Sequence, residues 1–159
     1  MSNSIEEQTI IGWREWVALP DFDIEKIKAK IDTGARTSAL HAHFLEPYDK
    51  NGVPWIRFMV HPFQRNLTID CECHAKVVDY RKVTDSGGHT EHRYVIHSSV
   101  KLGDHSFITE FTLTNRETMQ FRMLLGRNTL KDHYVVDSGK SFLLKRNVKK
   151  IKRNSASIL

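Results

Sequence analysis

The chain has 159 residues, 40% of them apolar, which is enough to bury one hydrophobic core, and no linker-like stretch divides it. We predict one domain over residues 1–144 and a basic tail, residues 145–159, that we expect to be flexible. The formal charge of +5 comes from that tail: it holds six of the 24 lysines and arginines and no acid, leaving 18 bases against 19 acids. A nucleic-acid-binding surface on the domain is therefore not expected.

The sequence also indicates the cellular setting. No apolar run approaches the roughly 18 residues of a membrane span, and the polar start lacks the basic and apolar regions of a signal peptide. We expect a cytoplasmic protein without membrane contact. The only cysteines, Cys71 and Cys73, are two residues apart, a spacing that disfavours a disulfide between them and fits reduced thiols.

The first predicted elements form a hairpin. Residues 13–19 are rich in strand-favouring side chains and stop at Pro20. Residues 24–31 alternate isoleucine and alanine with lysine, which is typical of a half-buried strand. We expect these two strands to pair.

The rest of the chain also predicts short strands. Turn signals recur between them, and the only convincing helix is a short one near residues 128–131. Many strands with one helix predict an all-β fold, either closed or folded over. The further strands are predicted at 55–60, around 76–83, at 93–102 and at 107–113, with a terminal hairpin of 134–136 and 142–144 around Ser138 and Gly139.

Asp32, Thr33 and Gly34 directly follow the strand at 24–31 and are the predicted catalytic residues. Asp32 supplies a carboxylate that can activate water. Gly34 lets backbone approach that carboxylate and donate an amide hydrogen bond, and Thr33 offers a hydroxyl that can lock the loop. The tripeptide Asp-Thr-Gly occurs by chance in some chains of this length, so it indicates a catalytic site only together with other features of the sequence.

A second motif supplies that context. The pair IDTGA (31–35) and LLGRNTL (124–130) resembles the active-site loop and the strand-glycine-helix element of the retropepsins, the retroviral aspartic peptidases. IDTGARTSALHA, with VDSG near the end, is similar to a bacterial family of retropepsin-like proteins that carries the label ATP-dependent zinc protease. The resemblance covers residues 10–144.

The resemblance implies a retropepsin-like closed β-barrel subunit with one short helix. It further implies a homodimeric aspartic endopeptidase that acts on a peptide or protein, without a cofactor, through a dyad made of Asp32 from two copies. The other motif of this type, at Asp137 to Gly139, has no strand-glycine-helix element after it, so we expect a turn there. The alternative from another class is a catalytically silent dimeric module that keeps the fold to bind peptides.

Two regions are predicted to contact substrate. The hairpin with Gly87 and Gly88 is the candidate for a flap that closes over the cleft, and a surface hairpin without a role is an equal alternative. Arg36 stands where retroviral enzymes have an acid that pairs with the arginine of the second motif, here Arg127. Either another acid such as Asp137 pairs with Arg127, or Arg36 binds a substrate carboxylate. The third alternative is that Arg36 is structural and donates its hydrogen bonds to carbonyl groups.

The bacterial family is often associated with ATP-grasp ligases that add glutamate. The resemblance therefore implies acidic or glutamate-modified peptides as substrates and an ATP-grasp ligase system as a partner. Arg36 fits such a substrate because its guanidinium can bind a carboxylate through two hydrogen bonds.

A zinc site is the third alternative. Cys71, Cys73 and His74 are zinc-type ligands, but strand alternation is expected to point His74 away from the two thiols. His41 and His43 have the spacing of a same-face pair, with no metalloprotease helix or partner carboxylate evident in the sequence. We therefore predict no metal ligands.

Overall fold

The computed structural model describes residues 8–62, 70–85, 87–115 and 120–144. Strands dominate these segments, which confirms the all-β prediction. A 3-10 turn at Pro20–Phe22 and one short α-helix complete them. The strands are β1 (Thr9–Gly12), β2 (Arg14–Leu19), β3 (Ile24–Ile31), β4 (Ser38–His41), β5 (His43–Lys50), β6 (Val53–Val60), β7 (Cys71–Lys76), β8 (Asp79–Thr84), β9 (Thr90–Leu102), β10 (His105–Thr114), β11 (Met123–Leu125) and β12 (Tyr134–Asp137); the helix is α1 (Arg127–Leu130).

Six strands close into a barrel, as the resemblance implied. Their order is β10-β4-β11-β3-β2-β9, and β10 pairs with β9 to complete the ring, while β8 extends the sheet beyond β9. Closure leaves these six strands without a free edge, so their inner side chains can pack against one another away from water. Fully buried side chains from these strands include Leu19, Ile27, Leu40, Ile96, Leu102, Phe111, Leu113, Met123 and Leu125.

The predicted first hairpin is confirmed. β2 and β3 pair antiparallel, with Arg14 opposite Lys30, and the 3-10 turn joins them. Ile27 and Ala29 of β3 are fully buried while Lys30 is exposed, which is the alternation seen in the sequence. β3 therefore delivers Asp32 to the end of the barrel immediately after its last buried residue.

β11 lies between the two strands that flank the Asp-Thr-Gly loop. It pairs parallel to β3, with Leu125 beside Ile31, and antiparallel to β4, with Met123 beside Leu40. Because β3 and β11 end at the same level, the loop that follows β3 meets the glycine and the helix that follow β11.

A second, three-stranded antiparallel sheet has the order β5-β6-β7. Its central strand buries Ile56, Phe58 and Val60 completely, and these side chains belong to the same hydrophobic cluster as the barrel interior. The stretch predicted as one strand around 76–83 is interrupted at Val77 and Val78, so that β7 ends in this sheet and β8 joins the barrel sheet.

The predicted terminal hairpin is wrong. β12 pairs parallel with β1, with Thr9 beside Tyr134, and residues 142–144 form no strand. The turn itself is present, since the amide of Lys140 donates to the Asp137 carbonyl at 3.1 Å.

Glu15 binds the segment that follows this turn. Its fully buried carboxylate accepts hydrogen bonds from the amides of Gly12 (2.7 Å), Leu143 (2.9 Å) and Leu144 (3.2 Å). These backbone donors therefore bind a side chain and not a strand.

The predicted basic tail, 145–159, lies outside the described residues. In the described part of the chain, no helix has the length and apolar character needed to cross a membrane.

Candidate active site

The Asp-Thr-Gly loop is held by its own backbone. The amide of Asp32 donates to the Leu125 carbonyl at 2.9 Å, and the amide of Ala35 donates to the Asp32 carbonyl at 3.2 Å. The amide of Gly34 donates to Asp32 Oδ1 at 3.1 Å, which is the bond expected from the sequence. Asp32 is half-buried and Gly34 is exposed, so the carboxylate is oriented by the loop and still open to solvent.

The strand-glycine-helix element supports the loop from the other side. The amides of Arg127 and Asn128 donate to the carbonyls of Ala35 and Arg36 at 2.8 and 2.9 Å. A Cβ atom on Gly126 would lie only 2.5 Å from the Thr37 carbonyl oxygen, closer than such atoms can approach. Glycine is therefore required at this position for the two motifs to come into contact.

A chain of buried hydroxyl groups anchors this contact in the barrel. Ser38 Oγ accepts from the Gly126 amide at 3.0 Å and lies 2.5 Å from Thr129 Oγ1, which lies 2.6 Å from Thr109 Oγ1. These hydroxyls fix α1 to β4 and β10. Sequence analysis did not identify these hydroxyls, because their contacts join residues that are far apart along the chain.

Arg127 binds the loop directly. Its Nη1 donates to the Thr33 carbonyl oxygen at 3.0 Å. Within the described segments of this single chain the Thr33 hydroxyl has no hydrogen-bond partner, so the loop is locked by Arg127 and Ser38. A locking role for the Thr33 hydroxyl stays a prediction.

The guanidinium of Arg36 is exposed beside the same loop. Neither Arg36 nor Arg127 forms an ion pair with any residue that the structure describes, and Arg36 makes no side-chain hydrogen bond there. The Asp137 carboxylate, the acid suggested for Arg127, accepts instead from the Gly139 amide at 3.0 Å. The rim of the site therefore has two positive charges without an acidic partner in the described chain.

Gly87 and Gly88 lie at the exposed tip of the β8–β9 hairpin. The Asp85 carboxylate accepts from the amides of Gly87 (3.0 Å) and His89 (2.9 Å), and Gly88 has a φ of +84°, which favours glycine. Among the described strands, β8 pairs only with β9, so this hairpin extends from the edge of the barrel sheet. No hydrogen bond joins its described residues to 32–34, and a flap role stays a prediction.

The cysteine pair and His74 lie on opposite faces of β7. Cys73 is buried and Cys71 half-buried on the inner face of β7, whereas His74 is exposed on the other face. His74 Nδ1 lies 2.8 Å from the Tyr48 hydroxyl and its Nε2 lies 2.9 Å from Glu72. The expected separation of His74 from the thiols is confirmed.

His41, at the end of β4, is a buried and neutral imidazole. Burial, reinforced by the charge of Arg122 and by His43 and His61, lowers the pKa of His41 to about 4. Its Nδ1 is buried without a hydrogen-bond partner among the described residues. A protonated His41 is therefore not available near neutral pH.

A half-buried aspartate in a glycine-backed loop at the end of a closed six-stranded barrel, supported by a strand-glycine-helix element, defines a retropepsin-like protein. The sequence model of the RimB-like family, described as "Retropepsin-like aspartic endopeptidase RimB", matches residues 10–147, and the chain belongs to this family. The retropepsin-like resemblance seen in the sequence is confirmed.

The chain is also similar to part of longer proteins. It is 44% identical over 139 residues to a probable alpha-L-glutamate ligase of Shewanella halifaxensis, covering 87% of this chain and 30% of that protein. A probable alpha-L-glutamate ligase of Desulfotalea psychrophila is 39% identical over 137 residues, with 86% and 29% covered. The chain thus spans less than a third of the length of these curated relatives.

A solved structure has the same fold. The crystal structure of Lpg0085 from Legionella pneumophila, a protein of unknown function, superposes with a TM-score of 0.71 at 31% identity. The match covers 86% of this chain and 98% of that one. Lpg0085 therefore shares the overall fold of this chain.

Proposed function

We propose that the chain is one subunit of a homodimeric aspartic endopeptidase in which Asp32 of each copy supplies half of the catalytic dyad. The observation that carries the proposal is the Asp32 carboxylate, oriented by the Gly34 amide and open to solvent at the end of the barrel. The sequence contains one Asp-Thr-Gly loop backed by a strand-glycine-helix element, which supports a dyad whose second carboxylate comes from a second copy.

Two nearby carboxylates share one proton because both cannot ionise cheaply. The ionised member takes a proton from water as the water oxygen bonds to the scissile carbonyl carbon. The protonated member gives its proton to the carbonyl oxygen, which produces a tetrahedral diol. The carbon–nitrogen bond then breaks as the nitrogen takes the proton that the first carboxyl removed from water. A diol hydroxyl gives its proton to the second carboxylate, which restores the carbonyl group and the shared-proton dyad.

We further propose acidic or glutamate-modified peptides as substrates. Arg36 is exposed beside the loop without an acidic partner in the described chain, so its guanidinium is available for a bidentate contact with a carboxylate. The relatives named probable alpha-L-glutamate ligases support a substrate that contains added glutamate and a partnership with a ligase of that type.

Cleavage of synthetic peptides by the full chain tests this proposal. Fragments from a glutamate-rich peptide and from a glutamine-substituted analogue are measured by mass spectrometry for the native protein and for Asp32→Asn. Asparagine keeps the size of the side chain but cannot carry the shared proton, so cleavage should be lost while fold and dimer remain. Asp104→Asn is the matched control, because Asp104 is exposed in the β9–β10 turn.

The outcomes separate the candidate functions. Undiminished proteolysis by Asp32→Asn, in a preparation free of contaminating peptidase, overturns the aspartic-peptidase proposal. Peptide binding without any cleavage by the native protein would identify the silent dimeric binding module instead.

A further inference from the structure

Three potential metal ligands converge at one end of the β5-β6-β7 sheet. Asp70 Oδ1 lies 2.8 Å from His61 Nδ1 and 3.2 Å from His43 Nε2. The ligand atoms of all three residues lie within 4.8 Å of one another. Both imidazoles are half-buried and Asp70 is exposed, so the cluster is accessible from one side.

The strand register brings His61 and Asp70 together. β6 and β7 pair antiparallel with Val60 opposite Cys71. His61 follows Val60 and Asp70 precedes Cys71, so continuing the register by one residue places the imidazole opposite the carboxylate. Their proximity is therefore set by the backbone of the sheet.

His43 reaches the same face from the neighbouring strand. It pairs with Met59, two residues before His61, and the two imidazole rings stack with centroids 4.8 Å apart. The pairing of β5 with β6 shifts register between His43 and Glu46, and Phe44 has a φ of 53°. A register shift of this kind is a β-bulge, which redirects side chains. This bulge directly follows His43, the third residue of the cluster. The sequence offered no partner carboxylate for His43, and the fold supplies Asp70.

A buried atom without a partner lies next to the cluster. The ring of His41 is 6.4 Å from the ring of His43, and its Nδ1 is one of two buried side-chain atoms in the described chain that have no hydrogen-bond partner. Unsatisfied buried polar atoms in native proteins often mark an ion or an ordered water.

We propose that His43, His61 and Asp70 bind a divalent metal ion of the zinc class, with its fourth position taken by water. Two imidazole nitrogens and one carboxylate oxygen are ligands that zinc accepts, whereas magnesium and calcium prefer oxygen alone. Without metal, Asp70 instead holds the two imidazoles through hydrogen bonds. On binding, each neutral ring carries its proton on the other ring nitrogen, so the nitrogens that faced Asp70 donate their lone pairs to the ion.

The site is separate from the proposed peptidase chemistry. None of its three ligands belongs to the Asp-Thr-Gly loop. The ion joins the start of β5, the end of β6 and the start of β7, so its expected effect is to stabilise this sheet by binding the folded state.

Metal titration of the full chain, purified with chelator and then freed of it, tests the site. Calorimetry with Zn²⁺ should give one ion per chain, the melting temperature should rise with zinc, and Mg²⁺ should do neither. Co²⁺ should give the visible spectrum of a four-coordinate ion without a thiolate charge-transfer band. His61→Gln and Asp70→Asn should each weaken zinc binding by at least about tenfold, since even outer-shell losses cost that much.

Two variants serve as controls. His74→Gln removes an exposed β7 histidine paired with Glu72, and Cys71→Ser removes the thiol that follows Asp70 in the sequence. Both should keep native zinc affinity. The inference is overturned if the native protein binds no zinc, if both His61→Gln and Asp70→Asn bind normally, or if either control loses the ion. Should a ligand variant fail to fold, as judged by circular dichroism, the stoichiometry and cobalt spectrum of the native protein decide. Peptidase activity is not a readout, so failure here leaves the proposed function untouched.

Discussion

The guanidinium of Arg127 donates a hydrogen bond to the carbonyl oxygen of Thr33 at 3.0 Å. This bond joins the first residue of α1 to the middle residue of the Asp-Thr-Gly loop. Thr33 and Arg127 are 94 positions apart in the sequence, and their contact joins the two motifs into one structural unit. The position of the Asp32 carboxylate therefore depends on the helix as well as on its own loop.

Arg127→Ala should reduce peptide cleavage and should lower stability only modestly. Loss of one exposed hydrogen bond costs about 1 kcal/mol of unfolding free energy. A small displacement of the loop should lower kcat/KM by at least about tenfold, because the reaction depends on the position of the carboxylate. Cleavage kinetics and urea denaturation measure the two effects. Arg57→Ala, which removes an arginine paired with Glu46 and Glu72, is the control, and an equal loss of activity there would contradict the prediction.

Gly126→Ala should destabilise the fold strongly. The new methyl group would meet the carbonyl oxygens of Thr37 at 2.5 Å and Ala35 at 2.9 Å, which are backbone atoms of the active-site loop. Overpacking of this kind costs roughly 1–3 kcal/mol or more. Urea denaturation measures the loss. Gly87→Ala is the comparison, since its methyl would contact only the Asp85 side chain at 3.4 Å; similar stabilities of the two variants would refute the steric argument.

Arg36→Ala should weaken cleavage of acidic peptides selectively. A charged hydrogen-bonded contact with a substrate carboxylate contributes on the order of 2 kcal/mol, or roughly 30-fold in kcat/KM. A glutamine-substituted peptide should be cleaved at an unchanged rate, and the melting temperature should stay close to native. If Arg36 is structural, the melting temperature falls and both peptides are affected alike.

The protein should form a twofold dimer in solution, because one chain supplies one catalytic carboxylate. Sedimentation at micromolar concentration, with and without a peptide inhibitor, measures this. Asp32→Asn should dimerise at least as tightly as the native chain, since it removes repulsion and desolvation of two close acids. A protein that stays monomeric under both conditions contradicts the prediction.

The thiol of Cys73 should resist alkylation in the folded state. Burial, with smaller effects of Cys71 and Glu72, raises the pKa of Cys73 to about 12 from 9.0. A raised pKa keeps the thiol protonated well above neutral pH, so the reactive thiolate is on the order of 1000-fold rarer at pH 8 than in the unfolded chain. Iodoacetamide labelling of Cys71→Ser, with and without urea, tests this by mass spectrometry. Comparable labelling rates with and without urea would show that the Cys73 thiol is accessible and reactive in the folded state.

Features with a local signal could be predicted from the sequence. Alternation in residues 24–31 predicted β3 and therefore the place of Asp32, and the apolar run into Gly126 predicted a strand and a helix. Each depends on side chains that are neighbours along the chain.

Long-range partners could not be read in the same way. The contact of Ser38 with Thr129 and that of His43 with Asp70 depend on the order of strands in the two sheets. The terminal hairpin was predicted wrongly for the same reason: the turn after Asp137 was visible, but pairing of β12 with the distant β1 was not.

The buried carboxylate of Glu15 accepts hydrogen bonds from backbone amides at both ends of the described domain. These amides belong to Gly12 near its start and to Leu143 and Leu144 at its end. If either end detached, the buried carboxylate of Glu15 would lose hydrogen-bond donors. Fraying should therefore be suppressed at both ends. Leu143 and Leu144 are the last residues of the described chain, where amides usually exchange fast with solvent hydrogen. We expect their amides instead to exchange only when the whole barrel opens, as core amides do. A single glutamate thereby makes the two ends of the fold one cooperative unit.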